Sequence, residues 1–147
     1  LVTEQERIQA IQECKRVVKH GGFIVFSFIT IMAQTITLLR RDIENIIEWE
    51  NALSFGIEHG RNDIAFNKGF TDAYFIDPIE VEPFILQNGL EVVRVAGAEG
   101  LGCQSESALL SLSKAQFTHW IDFFYKYSNI RSTLGANQHV ICIAKRK

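Results

Sequence analysis

The stretch Phe23 to Ile29, FIVFSFI, limits the fold more than any other part of the chain. It is nearly unbroken apolar sequence, rich in aromatic and β-branched residues. A strand with one solvated face alternates polar and apolar residues. A continuous apolar run reads instead as a strand covered on both faces, typical of parallel α/β sheets. What precedes it is a helix. In TEQERIQAIQECKRVV, Ile8, Ile11, Cys14 or Lys15, and Val18 fall three to four apart, the spacing of an amphipathic helix. Thr3 with Glu6 three residues later resembles a capping box at its start. Lys19-His20-Gly21-Gly22 is its stop signal, a cation in the last turn followed by glycine.

Gly21-Gly22 therefore joins a helix to a strand, in that order. A phosphate cradle needs the reverse order, with a helix N-terminus aiming free amides at the anion, so this pair reads as a hinge. Gly97-Ala98-Glu99-Gly100-Leu101-Gly102 does follow a strand, but its spacing is GxxGxG. No strand ends in an acidic residue about 20 positions later to hold a ribose, as a dinucleotide fold requires. That run reads as a turn leading out to an insertion. The chain contains no GxSxG elbow and no Walker-type loop. Cys14, Cys103 and Cys142 are odd in number and form no CxxC, which suits reduced thiols in a cytoplasmic protein. The four histidines are scattered without HExxH spacing, and no structural zinc is expected.

From Ile31 to Leu53 the period is helical, with Ile36, Leu39, Ile43, Ile46, Ile47 and Leu53 as the apolar stripe. Arg40, Arg41, Asp42, Glu44 and Glu48 take much of the other side. GIEHGRND and FNKG then read as loop. In DPIEVEPFILQNGLEVVRVAG, Asp77 is the N-cap, Pro78 the first helical residue, and Glu80 closes a capping box. Asn88-Gly89 stops that helix, and Leu90 to Ala96 is a strand. Beyond Gly102, Ser113 with Gln116 opens another helix, whose Phe117, Trp120, Ile121, Phe124 and Tyr127 read as core or domain interface. His139 to Lys145, HVICIAK, is the last strand, and AKRK a solvated tail. Strands alternating with helices argue for an α/β sheet. The 147 residues fit one domain, with helical insertions at 31–69 and 103–136. Lys and Arg total 15 against 17 Asp and Glu, a net charge of −2 with no basic stripe, which argues against nucleic acid as a partner. No apolar run approaches the roughly 20 residues of a membrane span.

In order, these segments resemble the second half of a class I S-adenosylmethionine-dependent methyltransferase. KRVVKHGGFIVFSFI is similar to that family's RVLKPGG turn and fifth strand, with His20 where proline is usual. AYFIDPIEVEPFILQNGLEVVRVAGAEGL resembles its aromatic lead-in, TPEEL-like helix start, GF-type turn and sixth strand. NQHVICIAKRK is similar to its closing antiparallel strand, and Leu1-Val2-Thr3-Glu4 to the run after its fourth. The resemblance implies an α/β, partial Rossmann-like methyltransferase sheet of fifth to seventh strands, the last antiparallel. It also implies S-adenosylmethionine as cofactor and a small-molecule methyl acceptor as partner. The family's glycine-rich cofactor loop and its acidic strand end would both lie before Leu1. The chain, which begins on Leu1 rather than Met, is thus expected to be the C-terminal part of such a domain, without a complete cofactor site.

Ligands of open α/β sheets bind outside the carboxyl ends of the parallel strands. On the implied topology that edge carries Thr30, Tyr74, Phe75, Glu99 and His139, with Asn137 beside them, as the substrate rim. Methyl transfer needs alignment of the acceptor, sometimes helped by a base, and His139 and Glu99 are the ionisable candidates. Trp49, Phe55 and His59 in the first insertion read either as a substrate lid or as an ordinary packed helix. The alternative to an enzyme is a non-catalytic interaction module. It would form a homo-oligomer by pairing Phe23 to Ile29 with another chain, because a long apolar edge is otherwise an aggregation hazard.

Overall fold

The computed structural model describes residues 1–64 and 71–147. Helix α1 (Glu4–Val17) starts on a complete capping box: Thr3 accepts from the Glu6 amide, and the Glu6 carboxylate accepts from the Thr3 amide. Gly21, at φ +75°, turns the chain into β1 (Phe23–Ile29), a conformation that glycine adopts without a Cβ penalty. Then follow α2 (Ala33–Arg41), a 3-10 turn (Ile43–Asn45), α3 (Ile46–His59), and the two-residue strands β2 (Arg61–Asn62) and β3 (Ala73–Tyr74). Next come α4 (Pro78–Gln87) and β4 (Leu90–Gly97). A second group of short helices leads to the last strand: α5 (Glu106–Leu110), α6 (Lys114–Tyr127), α7 (Arg131–Leu134) and β5 (His139–Arg146).

The architecture is mixed α/β around an antiparallel sheet in the order β1-β5-β4, with β2 and β3 as a separate pair. Strand β5 runs antiparallel to both neighbours, from Phe23 opposite Lys145 to Ile29 opposite His139, and from Leu90 opposite Arg146 to Gly97 opposite Val140. Strands β1 and β4 therefore run parallel to each other without touching. Among the described residues the only parallel pairing is an isolated bridge between Thr30 and Ile76. The parallel ladder suggested by the apolar run is not formed among the described residues. The antiparallel last strand is.

The core lies on one face of this sheet. Val140, Cys142 and Ala144 point into it from β5 and are fully buried, with Ile11 of α1, Val81 and Ile85 of α4, Ile24, Leu90 and Leu134 around them. The other face is different. Phe23 is 62% exposed and Val25 65%, so β1 is covered on one side only among the described residues. A strand's side chains alternate between faces, and α1 and α4 both lie against the even-numbered residues of β1 and β5.

Other expectations shift in detail. The helical stripe from Ile31 to Leu53 is broken at Asp42, and the break changes its phase. Ala33, Ile36, Leu38, Ala52 and Leu53 are buried, whereas Leu39, Ile43, Ile46 and Ile47 are exposed. Helix α3 continues through Gly56 to His59, where a loop was expected, and Gly60 caps it in the left-handed region. The FNKG loop reading falls on residues outside those described. In α4 the Asp77 carboxylate accepts from the Ile79 amide, and no capping box with Glu80 forms. Helix α6 does start on the Ser113/Gln116 box; of its stripe, Phe117 and Phe124 are half-buried while Trp120, Ile121 and Tyr127 are exposed, so the stripe is not a buried core. Among the described residues, no helix is long and apolar enough to cross a membrane.

Candidate functional site

The C-terminal ends of β1 and β4 and the start of β5 meet at one edge of the sheet, as Ile29 opposite His139 and Gly97 opposite Val140 require. Of the five expected rim residues, three are occupied with structural work. Thr30 has no exposed surface; its hydroxyl donates to the Asn137 carbonyl at 2.6 Å and its amide to the Gln138 carbonyl at 2.9 Å. Phe75 is 5% exposed and packs on α3, where a Cβ added at Gly56 would meet its ring at 3.4 Å. Neither is a rim contact, because the chain crosses this edge below the surface. Tyr74 is half-buried under the Arg7 guanidinium, 3.4 Å from its ring centroid. Burial raises its phenol above the ordinary pKa, with the Arg7 charge opposing the shift.

Glu99 and His139 do come together. The His139 Nδ1 lies 2.5 Å from Glu99 Oε1, and the His139 amide donates to Oε2 at 3.1 Å. Their side chains are 25% and 45% exposed, so the pair opens to solvent from a fixed geometry. A carboxylate only accepts hydrogen bonds, so Nδ1 carries the proton, and in the neutral ring Nε2 is left as an acceptor. Such a histidine can take a proton from, or accept a hydrogen bond from, a hydroxyl placed beside it.

The turn behind Glu99 is held by Asn137. Its Nδ2 donates to the carbonyls of Thr133 at 2.8 Å and Leu134 at 3.2 Å, and its Oδ1 accepts from the Gly100 amide at 2.6 Å. A Cβ at Gly97 would lie 2.4 Å from the Asn137 amide group, and one at Gly102 would lie 2.5 Å from the Phe124 ring. These glycines make room for side chains of the same chain. The GxxGxG run is the turn it was read as.

Beside this pair, a cleft of about 370 Å³ lies between α6 and the outer sheet face. Its walls are apolar, from Ala96, Ile141 and Ile143 on the sheet and Phe124 on the helix; Glu99 closes one end and Arg94 the other. Among the described residues Arg94 uses Nη2 alone, on the Ser128 hydroxyl at 3.1 Å and the Tyr125 carbonyl at 3.3 Å. Gln138 ties the edge to the first insertion through Nε2 to the Thr37 hydroxyl at 2.6 Å. In that insertion Phe55 and His59 stack on each other at 4.4 Å. Sequence reasoning passed over Arg94, although a lone cation inside the apolar strand LEVVRVAG was the signal for it. Compared with known proteins, the chain matches no family model and no curated protein.

Proposed function

We propose that this chain is the C-terminal portion of an S-adenosylmethionine-dependent methyltransferase acting on a small molecule. One observation carries the reading. Two helix–strand units, α1-β1 and α4-β4, place their helices on one face and their strands in the same direction, with β5 inserted antiparallel between them. That arrangement agrees with the fifth, sixth and closing strands of a Rossmann-like methyltransferase sheet. Its carboxyl edge carries the Glu99–His139 pair and the adjoining cleft, which would hold and orient the acceptor.

The glycine turns do not fit S-adenosylmethionine. Gly21-Gly22 precedes a strand rather than a helix, and the space at Gly97 and Gly102 is taken by Asn137 and Phe124. Cofactor binding therefore rests on residues other than these turns. The unpaired Cys14, Cys103 and Cys142 favour a reducing, cytoplasmic setting. The test is calorimetry with S-adenosylmethionine on the chain extended upstream in its reading frame. Saturable binding supports the reading, and its absence refutes it.

A second reading, a non-catalytic module that assembles through β1, draws on the free edge of that strand. Even-numbered residues bond β5, as the Thr30 amide to Gln138 shows, while Ile29 and Ile31 turn outward to Ile76. By the same alternation Phe23, Val25 and Ser27 direct their backbone groups to an edge with no strand on it among the described residues. Sedimentation separates the two readings: a monomer at all concentrations refutes this one.

A further inference from the structure

We infer that the cleft between α6 and the sheet is a binding site for a flat aromatic molecule with a hydroxyl at one end and a carboxylate at the other. The proposal concerns binding alone, so it stands or falls separately from methyl transfer.

Shape gives the first constraint. The cleft, about 370 Å³, lies within the roughly 300–1,000 Å³ of small-molecule sites. One wall is pleated sheet, carrying Ala96, Ile141 and Ile143. The other is the Phe124 ring, stacked on Trp120 with centroids 5.4 Å apart and planes 25° from parallel. The ring is further braced against Gly102, where a Cβ would meet it at 2.5 Å. A cleft between apolar sheet residues and a braced aromatic ring suits a planar ring system.

The two ends supply the polarity. At one, Glu99 lines the cleft and holds Nδ1 of His139, which stands just beyond the lining with Nε2 of the neutral ring as the acceptor for a ligand hydroxyl that reaches it. His139, Ile141 and Ile143 lie on the same face of β5, so the imidazole shares the cleft's side of the sheet. At the other end Arg94 keeps Nε and Nη1 without partners among the described residues, while Nη2 and the Tyr125 ring, 5.4 Å away, fix its plane. With Nη2 engaged, the free Nε and Nη1 donors lie on different edges of the guanidinium, and each can make a single charge-assisted bond to a ligand carboxylate. Arg94 is paired with Ile143 in the ladder, four residues from His139 on β5. The two polar ends are thus separated by about 13 Å of strand, a span that a bicyclic aromatic ring and the Arg94 side chain bridge together.

The test uses 6-hydroxy-2-naphthoate as the probe, with 2-naphthoate and 2-naphthol as the partial matches. Calorimetry is expected to give saturable binding of the full probe, with each partial match at least about tenfold weaker. His139→Ala should erase the advantage of the hydroxyl, and Arg94→Gln that of the carboxylate. Amide shifts on titration should cluster at residues 94–100 and 139–143. Ile141→Trp should fill the cleft and abolish binding with the far-ultraviolet circular dichroism unchanged. If that variant does not fold, the two polar variants carry the decision. No saturation by about 1 mM, equal binding of all three compounds, or shifts centred elsewhere would each overturn the proposal.

Discussion

Replacing Gly97 with alanine should destabilise the protein through Asn137, and the cost should largely vanish once Asn137 is gone. The new methyl would sit 2.4 Å from the Asn137 Cγ, Nδ2 and Oδ1 atoms, against the 3.5–4 Å of a relaxed contact. Relief requires the amide to move by more than about 1 Å, which breaks its bonds to Thr133, Leu134 and Gly100. Each such bond is worth roughly 0.5–1.5 kcal/mol, so Gly97→Ala should cost about 2–4 kcal/mol. Asn137→Ala loses the same three bonds, leaves a space, and should cost a similar amount. The double variant should then cost little more than either alone, giving a coupling of about 2 kcal/mol. Urea unfolding followed by circular dichroism measures all four corners of the cycle. Additivity to within about 0.5 kcal/mol would refute the claim that the two residues compete for one space.

Three further outcomes follow from the core and the exposed face. Ile85→Ala should cost roughly 2–5 kcal/mol in the urea midpoint, since the side chain has no exposed surface. Val25→Lys, at a position 65% exposed, should change that midpoint by less than about 0.5 kcal/mol while removing any assembly seen by sedimentation. Cys142 should resist iodoacetamide in the native protein and react on unfolding, because burial pushes its thiol up to about 11 from an ordinary 9.0. The fold binds this proton more tightly than the unfolded chain does. The resulting stability is intact below pH 9.0 and is lost as pH rises through about 11, a decline that Cys142→Ala should lack.

Local signals were legible wherever a few adjacent residues decide the structure. The boxes at Thr3/Glu6 and Ser113/Gln116 form because each involves one turn of chain, and β1 spans the seven residues of its apolar run. The phase of the first insertion was not legible. Its hydrophobic stripe assumed one continuous helix; Leu39 is exposed within α2 itself, and the break at Asp42 leaves Ile43, Ile46 and Ile47 exposed beyond it. Strands of two residues, such as β2 and β3, carry no period to read. A continuous apolar run states that a strand tolerates burial on both faces. It does not state that this chain provides both covers.

The same distinction separates the site residues. Topology alone brings Glu99 and His139 to one edge, and their pairing across 40 positions follows from β5 lying beside β4. Topology does not fix depth, and so Thr30 and Phe75 reach that edge beneath its surface. Depth here is set by Asn137, whose amide draws the turn after β4 toward the loop before β5, while its carbonyl accepts the Thr30 hydroxyl. What remains in the open is one outer sheet face, apolar from Phe23 and Val25 to Ile141 and Ile143. Helix α6 roofs the part over β4 and β5 and leaves the cleft beneath it. Over β1 no helix lies among the described residues, and its outer edge is also free of a strand, so a ligand would lie beneath α6 while a second chain would pair along the edge of β1. A ligand in the cleft should perturb Arg94 and His139 and spare Phe23, whereas a second chain on β1 should do the reverse.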